Sequence, residues 1–414
     1  MELLIIIFDN SKFYDDDFIK WLHLLYKNKT SISIKNLNQK ICKDKYKIII
    51  DYESSINFFN SFRHRKTFEI KNMNKTLIYY LVEHGIDINE DNMFKVTPLF
   101  YACEKENKDL IKYLVKHETD INKENQNGES VLFMACKSGN KDLVEYLVEH
   151  GADIKKENKS GETPLFMACR SGNKDLVECL VEHGADINKK NKYNETPLFN
   201  ACFSRNKNLV EYLVEHGLDI NKKNRRSETP LFNACKSGNK DLVEYLVEHG
   251  LDVNKKNRDR KTPLFEACES GNKDLVKYMV ELGADINKEN RNGESVLFMA
   301  CKSGNKNMVE YLVEHGLDIN KKNRRSETPL FEACESGNKD LVKYMVEHGV
   351  DVNKENRKGK TPLRNACRSK NKDLARFLLK CGADEHKARG EVLNVLKIRN
   401  YKSYNRYYKY NINN

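Results

Sequence analysis

NKSGETPLFMACRSGNKDLVECLVEHGADINKK, residues 158–190, is the unit on which most of the chain is built. Thr163 stands where a helix N-cap is wanted, and Pro164 takes the first helical position, where a missing N–H costs nothing. Leu165, Phe166, Ala168 and Cys169 give this first helix an apolar face. Gly172 supplies a left-handed residue to end it. Asn173 then caps a second helix, and Asp175 complements its positive end. Leu176, Val177, Leu180 and Val181 recur at helical spacing. Gly184 stops that helix, and Asp186-Ile187-Asn188 leads into a polar, glycine-containing hairpin. The unit has an apolar face that it cannot bury alone.

On both sides the pattern repeats every 33 residues. Cysteines mark it at Cys103, Cys136, Cys169, Cys202, Cys235, Cys268, Cys301, Cys334 and Cys367. All seven prolines share one phase: Pro98, Pro164, Pro197, Pro230, Pro263, Pro329 and Pro362, with Val131 and Val296 in the other two copies. Nine units follow without insertion or deletion, from Asn92 to about Ala388. Stacking them buries the apolar faces, so the fold class is an all-α repeat solenoid. At roughly 8–10 Å between neighbouring helices, nine units predict a length on the order of 90 Å. Residues 191–256 and 290–355 are close copies three units apart, which marks duplication within the array.

The unit resembles the ankyrin repeat: 33 residues, a β-turn plus two helices and a T-P-L-H-x-A start. Here that start is Thr163-Pro164-Leu165-Phe166-Met167-Ala168, and Gly184 to Asn188 match the family's GADIN. The resemblance covers residues 92–388. It implies an ankyrin superhelix of helix-turn-helix units with short β-hairpin tips. It also implies a non-catalytic protein–protein interaction scaffold or adaptor, binding through hairpin tips and the first helices that line a concave groove. There are departures. The family's His after Leu is Phe in eight units and Arg364 in the last, so apolar packing replaces a polar link. Lys95, Asn194, Ser227, Arg260 and Ser326 replace the hairpin Gly, and Glu118, Arg205 and Lys370 replace helix-ending glycines; those turns are expected to be strained or differently shaped.

Composition agrees with a thin, elongated molecule: of 414 residues, 39% are hydrophobic and 32% charged, which is polar for a compact globule. The apolar run Leu3 to Phe8 is too short for a signal peptide or for a span of about 20 residues. No CxxC occurs among twelve cysteines. The expectation is an intracellular monomer with reduced thiols, placed in the cytoplasm with the nucleus as the alternative. The net charge of +11 suits acidic partners or nucleic acid, but a chain rich in Lys, Asn, Ile and Tyr acquires such a charge from A/T-rich coding alone.

Residue types that carry chemistry all have a structural reading. Zinc needs about four ligands near 2.3 Å from one centre, and the ladder cysteines stand one repeat apart, each beside the first-helix Ala where a small buried residue is wanted. Most of the ladder histidines, His84 to His348, precede the glycine ending the second helix, where a protonated ring favours the negative helix end. Cys179 and His183 are four apart on one helix, but two ligands do not make a site. Gly359-Lys360-Thr361 imitates the end of a P-loop whose first Gly would fall at Lys354. No catalytic residue, metal ligand or cofactor site is assigned.

The informative positions are the hairpin tips. Lys159, Lys192, Arg225, Arg226, Arg258, Arg260, Arg291, Arg324, Arg325, Arg357 and Lys358 place one or two cations per unit along one edge. Asp259 interrupts the edge, and Glu195, Glu228 and Glu327 lie close by. The second helices lean acidic, with Glu145, Glu178, Glu211 and Glu244 among others. A basic edge points to an acidic protein partner. Binding of nucleic acid or another anionic surface is the alternative, although the edge lacks interleaved aromatics for stacking. A targeting arm for an enzyme supplied in trans is a third reading. Two first-helix rows vary between units and are expected to face the groove. One is Tyr101, Met134, Met167, Asn200, Asn233, Glu266, Met299, Glu332 and Asn365; the other is Lys137, Arg170, Phe203, Lys236, Glu269, Lys302, Glu335 and Arg368. Variable side chains on a rigid frame suit recognition.

Residues 1–61 fall outside the period and are expected to form a helical N-terminal cap. Asp15-Asp16-Asp17 precede Phe18, Ile19, Trp21, Leu22 and Leu25 as the acidic first turn of an amphipathic helix. Residues 62–91 read as a degenerate repeat. Residues 389–414 read as a closing helix through Val392, Leu393, Val395 and Leu396, followed by a fraying tail.

Overall fold

The computed structural model of the chain describes residues 3–8, 46–51, 89 and 95–396. The chain divides into two compact units, Met1–Val131 and Leu132–Asn414. In the first, strands β1 (Leu3–Phe8) and β2 (Tyr46–Asp51) pair antiparallel, with Leu3 opposite Asp51 and Phe8 opposite Tyr46. This is a departure from the helical cap expected for residues 1–61. Both segments are isoleucine-rich, and β-branched residues favour extended backbone. The helix expected around Phe18 to Leu25 and the degenerate repeat's helix lie outside the described residues. Helices α1 (Pro98–Glu104) and α2 (Lys108–Lys116) complete the described part of this unit.

The second unit opens within α3 (Val131–Ser138), which α4 (Lys141–Glu149) follows. Five further pairs repeat the plan: α5 (Pro164–Ser171) and α6 (Lys174–Glu182), α7 (Pro197–Phe203) and α8 (Lys207–Glu215), α9 (Pro230–Ser237) and α10 (Lys240–Glu248), α11 (Pro263–Glu269) and α12 (Lys273–Glu281), and α13 (Val296–Ser303) and α14 (Lys306–Glu314). Two more pairs end the array, α15 (Pro329–Ser336) with α16 (Lys339–Glu347) and α17 (Pro362–Arg368) with α18 (Lys372–Lys380). From α5 to α17 each first helix packs on the next first helix and on its own second helix, in series. This is a repeat solenoid.

The core follows the apolar stripes. In the unit at Asn191, Leu198, Phe199, Ala201, Cys202, Leu209, Val210 and Leu213 are all fully buried. Burying a Leu, Val or Phe side chain stabilises by about 1.5–3 kcal/mol, so the stacked faces carry the array. The ladder cysteines belong to this core. Burial raises their thiols, Cys103 and Cys367 to about 12, and Cys235 Sγ lies 3.5 Å from Met279 Sδ.

The caps divide unequally. Asn173 Oδ1 accepts from Leu176 N at 3.2 Å, capping α6, while its Nδ2 donates to Gly139 O at 2.8 Å in the preceding unit. Asn206 does the same with Gly172 O at 2.7 Å. Each Asn is therefore a cap and a staple between units. Thr163, read from sequence as a side-chain cap, has the cap backbone (φ −96°, ψ 167°) but makes no side-chain cap bond. In other units the cost is visible. The hydroxyls of Thr97, Ser130, Thr196, Thr229, Thr262, Ser295, Thr328 and Thr361 are buried without a hydrogen-bond partner. Seven of the eight stand in units where Phe at the family's His position offers no polar group; Thr361 stands in the unit with Arg364.

The turns keep their shape where glycine is missing. Asn194, Ser227, Arg260 and Ser326 hold φ of 62° to 64°, against 74° at Gly161, and Arg205 holds 69° where Gly172 holds 79°. Glu106, which the sequence reading passed over, joins them at 51°. The answer is strain without reshaping, at about 1–2 kcal/mol for a side chain in this region. At the C-terminal end a short 3₁₀ turn (Glu385–Ala388) leads to α19 (Arg389–Val395), which packs on α17. Arg364 there pairs with Glu391 at 2.7 Å, which explains a cation where other units bury Phe. The tail from residue 397 lies outside the described residues. Among the described residues, no helix is long and apolar enough to cross a membrane.

Candidate binding surface

Each hairpin tip is built on an asparagine. Asn191 Oδ1 accepts from the backbone of Tyr193 and of Glu195, both at 2.9 Å, and Asn194 N closes the turn on Asn191 O at 3.0 Å. Among the described residues the tips carry these turn bonds but no regular strand. One backbone bond then joins each tip to the next: Lys192 N to Ser160 O at 2.8 Å, Arg225 N to Tyr193 O at 2.7 Å, Arg258 N to Arg226 O at 2.8 Å. Arg291, Arg324 and Arg357 continue the line onto Asp259, Asn292 and Arg325 at 2.7 to 2.9 Å. The residues that carry the edge cations are thus the ones whose backbones zip the edge together.

The glutamates behind the edge are already engaged. Glu195 accepts from Asn191 Nδ2 and Asn224 Nδ2, both at 3.1 Å. Glu228 accepts from Asn224 and Asn257, both at 2.9 Å, and Glu327 accepts from Asn323 and Asn356 at 3.1 and 2.8 Å. This carboxylate–amide ladder breaks where Lys261 replaces the glutamate and turns to Glu266, 3.5 Å away. Lys159, Lys192, Arg225, Arg226, Arg258, Arg260, Arg291, Arg324 and Arg357 are exposed, without an ion pair among the described residues. Arg325 differs, lying 3.4 Å from Glu294 and 2.9 Å from Glu327.

The first-helix rows are less uniform than their sequence pattern. Asn200 Nδ2 donates to Phe166 O at 3.1 Å, and Asn233 Nδ2 to Phe199 O at 2.8 Å, so both amides tie neighbouring first helices. Met167 and Glu266 are half-buried and Met299 is buried. Glu332 is half-buried; desolvation, then Glu335, Glu294 and Glu327, push its carboxyl up to about 7 against the opposing pull of Lys302. In the second row the Arg170 guanidinium lies 5.7 Å from the centre of the Phe203 ring, and Lys302 pairs with Glu269 at 2.7 Å.

Tips and rows meet in two clefts. One, of about 440 Å³, is lined by Arg291, Glu294, Met299, Lys302, Arg325 and Glu332 among others. The other, of about 340 Å³, is lined by Arg325, Phe331, Glu332, Arg357 and Arg368 among others. Sequence reasoning singled out Arg291, Arg325, Arg357, Met299 and Glu332 separately; the fold brings them to two adjoining clefts. It passed over Tyr193, whose ring is 56% exposed at a tip. The available signal was an aromatic at a tip position that, of the nine units, only the first shares, at Phe94.

The second helices use their charges on themselves. Lys174 and Glu178 pair at 3.1 Å, Lys240 lies 4.7 Å from the Tyr278 ring, and Tyr212 stacks on His216 with ring centres 4.0 Å apart. His216 Nδ1 sits 2.8 Å from Tyr212 O, so the ring lies on a carbonyl of the helix's own last turn. Cys179 Sγ is 3.8 Å from His183 Nδ1, but that nitrogen lies 2.8 Å from Cys179 O. Among the described residues, no group of three or more His, Cys, Asp or Glu is placed to hold a metal ion.

Serial helix pairs, stapled by asparagines and edged by zipped hairpins, define a repeat solenoid that offers side chains along a line. The family model described as "Ankyrin repeats (3 copies)" matches residues 68–158, 153–224, 221–290 and 297–388. The chain belongs to the ankyrin-repeat family. A second model, described as "LRRK2 ANK repeat", matches residues 256–325. No curated protein matches the chain. Ankyrin repeats are in general protein–protein interaction modules, and the family is in general not enzymatic.

Proposed function

We propose that the chain is a non-catalytic scaffold that binds an acidic protein partner along its hairpin tips and first-helix rows. One observation carries this reading: among the described residues, ten tip cations, Lys358 included, are exposed without an ion pair, on an edge whose backbones hydrogen bonds hold in line. Glu195 and Glu228 each accept from two asparagine amides and form an ion pair with none of these cations, which remain open to a partner. A preorganised edge also lowers the ordering cost of binding, and unpaired cations of one sign steer an acidic partner toward it.

The test compares the full chain with a variant carrying Arg225, Arg226, Arg258, Arg324 and Arg325 as Ser. Both are used to capture proteins from a lysate at physiological salt. The expected result is a specific set of acidic proteins held by the native chain and lost by the variant. Equal capture by both forms would place recognition elsewhere in the chain. Capture of nucleic acid alone, with affinity falling steeply as salt rises, would favour the anionic-surface alternative.

A further inference from the structure

We infer that recognition is centred on the unit spanning residues 191–223, where Tyr193 and Phe203 receive apolar side chains of an acidic, extended protein segment. The inference rests on the proposal above that the basic edge binds an acidic protein, and adds where along the edge the partner is anchored. Among the described residues, the large apolar side chains left exposed are Tyr193 at 56%, Phe203 at 41% and Leu282 at 36%. Two of the three stand in one unit, one at its tip and one at the end of its first helix. Leu282 is a cap on a second helix, away from both.

Both aromatics are held ready. Tyr193 N donates to Asn191 Oδ1 at 2.9 Å, and Tyr193 O accepts from Arg225 N at 2.7 Å, so the backbone is fixed on each side of the exposed ring. Phe203 is the last residue of α7, and the Arg170 guanidinium lies against its ring at 5.7 Å. Rigid aromatics and arginine dominate the binding energy of protein interfaces, because they bury much area for little lost freedom. The seven residues of α7 rise about 10 Å, and an extended segment covers that in about three residues.

The charge around the pair selects the segment. Lys192, Arg225, Arg226 and Arg258 are exposed, and the nearby Glu195 and Glu228 are each held by two asparagine amides. Positions 200, 203, 233 and 236 are Asn, Phe, Asn and Lys. In the close copy, Asn292 and Lys302 replace the aromatics, Lys302 is paired with Glu269, Arg325 is paired twice, and Glu332 and Glu335 line the row. A segment with carboxylates around two apolar anchors therefore fits residues 191–256 and is disfavoured at 290–355.

The probe is a fluorescein-labelled peptide with Trp and Leu three residues apart, each flanked by Asp and Glu; the control peptide has Ser at both apolar positions and the same charge. Binding is read by fluorescence anisotropy on the full chain. The native chain should prefer the Trp/Leu peptide by about tenfold or more. The variant Y193N/F203K, which installs the residues of the copy at two exposed positions, should lose that preference. A photo-crosslinker at the Trp position should label residues within 191–226, and this readout needs no variant. If Y193N/F203K keeps the preference, or crosslinks fall equally on 290–355, the anchor is overturned. In that case the fivefold Arg-to-Ser variant still decides the wider reading: loss of both peptides upholds the basic edge. Failure of the native chain to bind either peptide overturns both.

Discussion

Residues 191–256 and 290–355 form the same two helix pairs from nearly the same sequence, but they offer different surfaces. Their buried positions agree. Leu198, Phe199, Ala201 and Cys202 correspond to Leu297, Phe298, Ala300 and Cys301, all fully buried. Two buried leucines became methionine, Leu209 to Met308 and Leu246 to Met345, which conserves volume, the swap that cores tolerate best, while buried Leu251 shrank to Val350. The surface positions diverged in charge. Tyr193, Phe203, Asn233 and Lys236 answer to Asn292, Lys302, Glu332 and Glu335. The first segment keeps its tip cations unpaired, whereas in the second Arg325 and Lys302 are drawn into ion pairs. Stacking fixes what each unit must bury and leaves the tips and rows free to differ, so one backbone presents two different surfaces.

The largest effect tests the shared core. Leu246 is fully buried in α10, and Leu246→Ala should destabilise the middle of the array by about 2–5 kcal/mol. Leu246→Met, which copies position 345, should cost less than about 1.5 kcal/mol. Urea unfolding of the full chain, analysed with nearest-neighbour terms, measures both; a Leu246→Ala effect below about 0.5 kcal/mol would remove that stripe from the core.

A second measurement sharpens the contrast in charge. The folded state holds the Glu332 carboxyl at about 7, above its ordinary value, so its contribution to stability is complete in acid and disappears as pH rises through 7. The variant Glu332→Gln should flatten the dependence between pH 5 and 8. At pH 8 it should exceed the native chain by about 1–2 kcal/mol, a figure reduced for partial exposure. Asn233, its counterpart, has no such dependence to remove. An unchanged pH profile for Glu332→Gln would show that the carboxyl is solvated like any surface glutamate.

Two smaller effects concern strain and polarity. Arg205 holds φ 69° where the copy has Gly304 at 75°. Arg205→Gly should stabilise by about 0.5–1 kcal/mol, and Asn194→Gly by less, because Asn tolerates this region and Asn194 Nδ2 also bonds to Lys223 O at 2.6 Å. Equal gains at both sites would refute that ranking. Thr196→Val removes a buried hydroxyl that has no partner, and thermal unfolding should show no loss and a gain of up to about 1 kcal/mol. A loss above about 1 kcal/mol would mean that the hydroxyl finds a partner in solution.

Much of the fold was legible in the chain. The phase of Pro164 and Gly172, the asparagine before each second helix and the stripe from Leu176 to Val181 are local signals, and they place α5 and α6 to within a residue. Less of the surface was legible. Asn200 and Asn233 read as variable positions facing the groove, yet each donates to a carbonyl 34 residues back. Thr163 read as a side-chain cap and is one by backbone alone. Leu3–Phe8 read only as a run too short to cross a membrane, since its partner strand lies at Tyr46–Asp51, beyond any local window.

By itself the sequence determined the period, the helix pairs, the buried ladder of leucine, phenylalanine and cysteine, and the family, because caps, breakers and apolar spacing act within a few residues along the chain. Only the tertiary structure decided which charges are available. Glu195 meets Asn224 across 29 residues and Asn206 meets Gly172 across 34, so whether a carboxylate is engaged or a cation left unpaired depends on how one unit sits against the next.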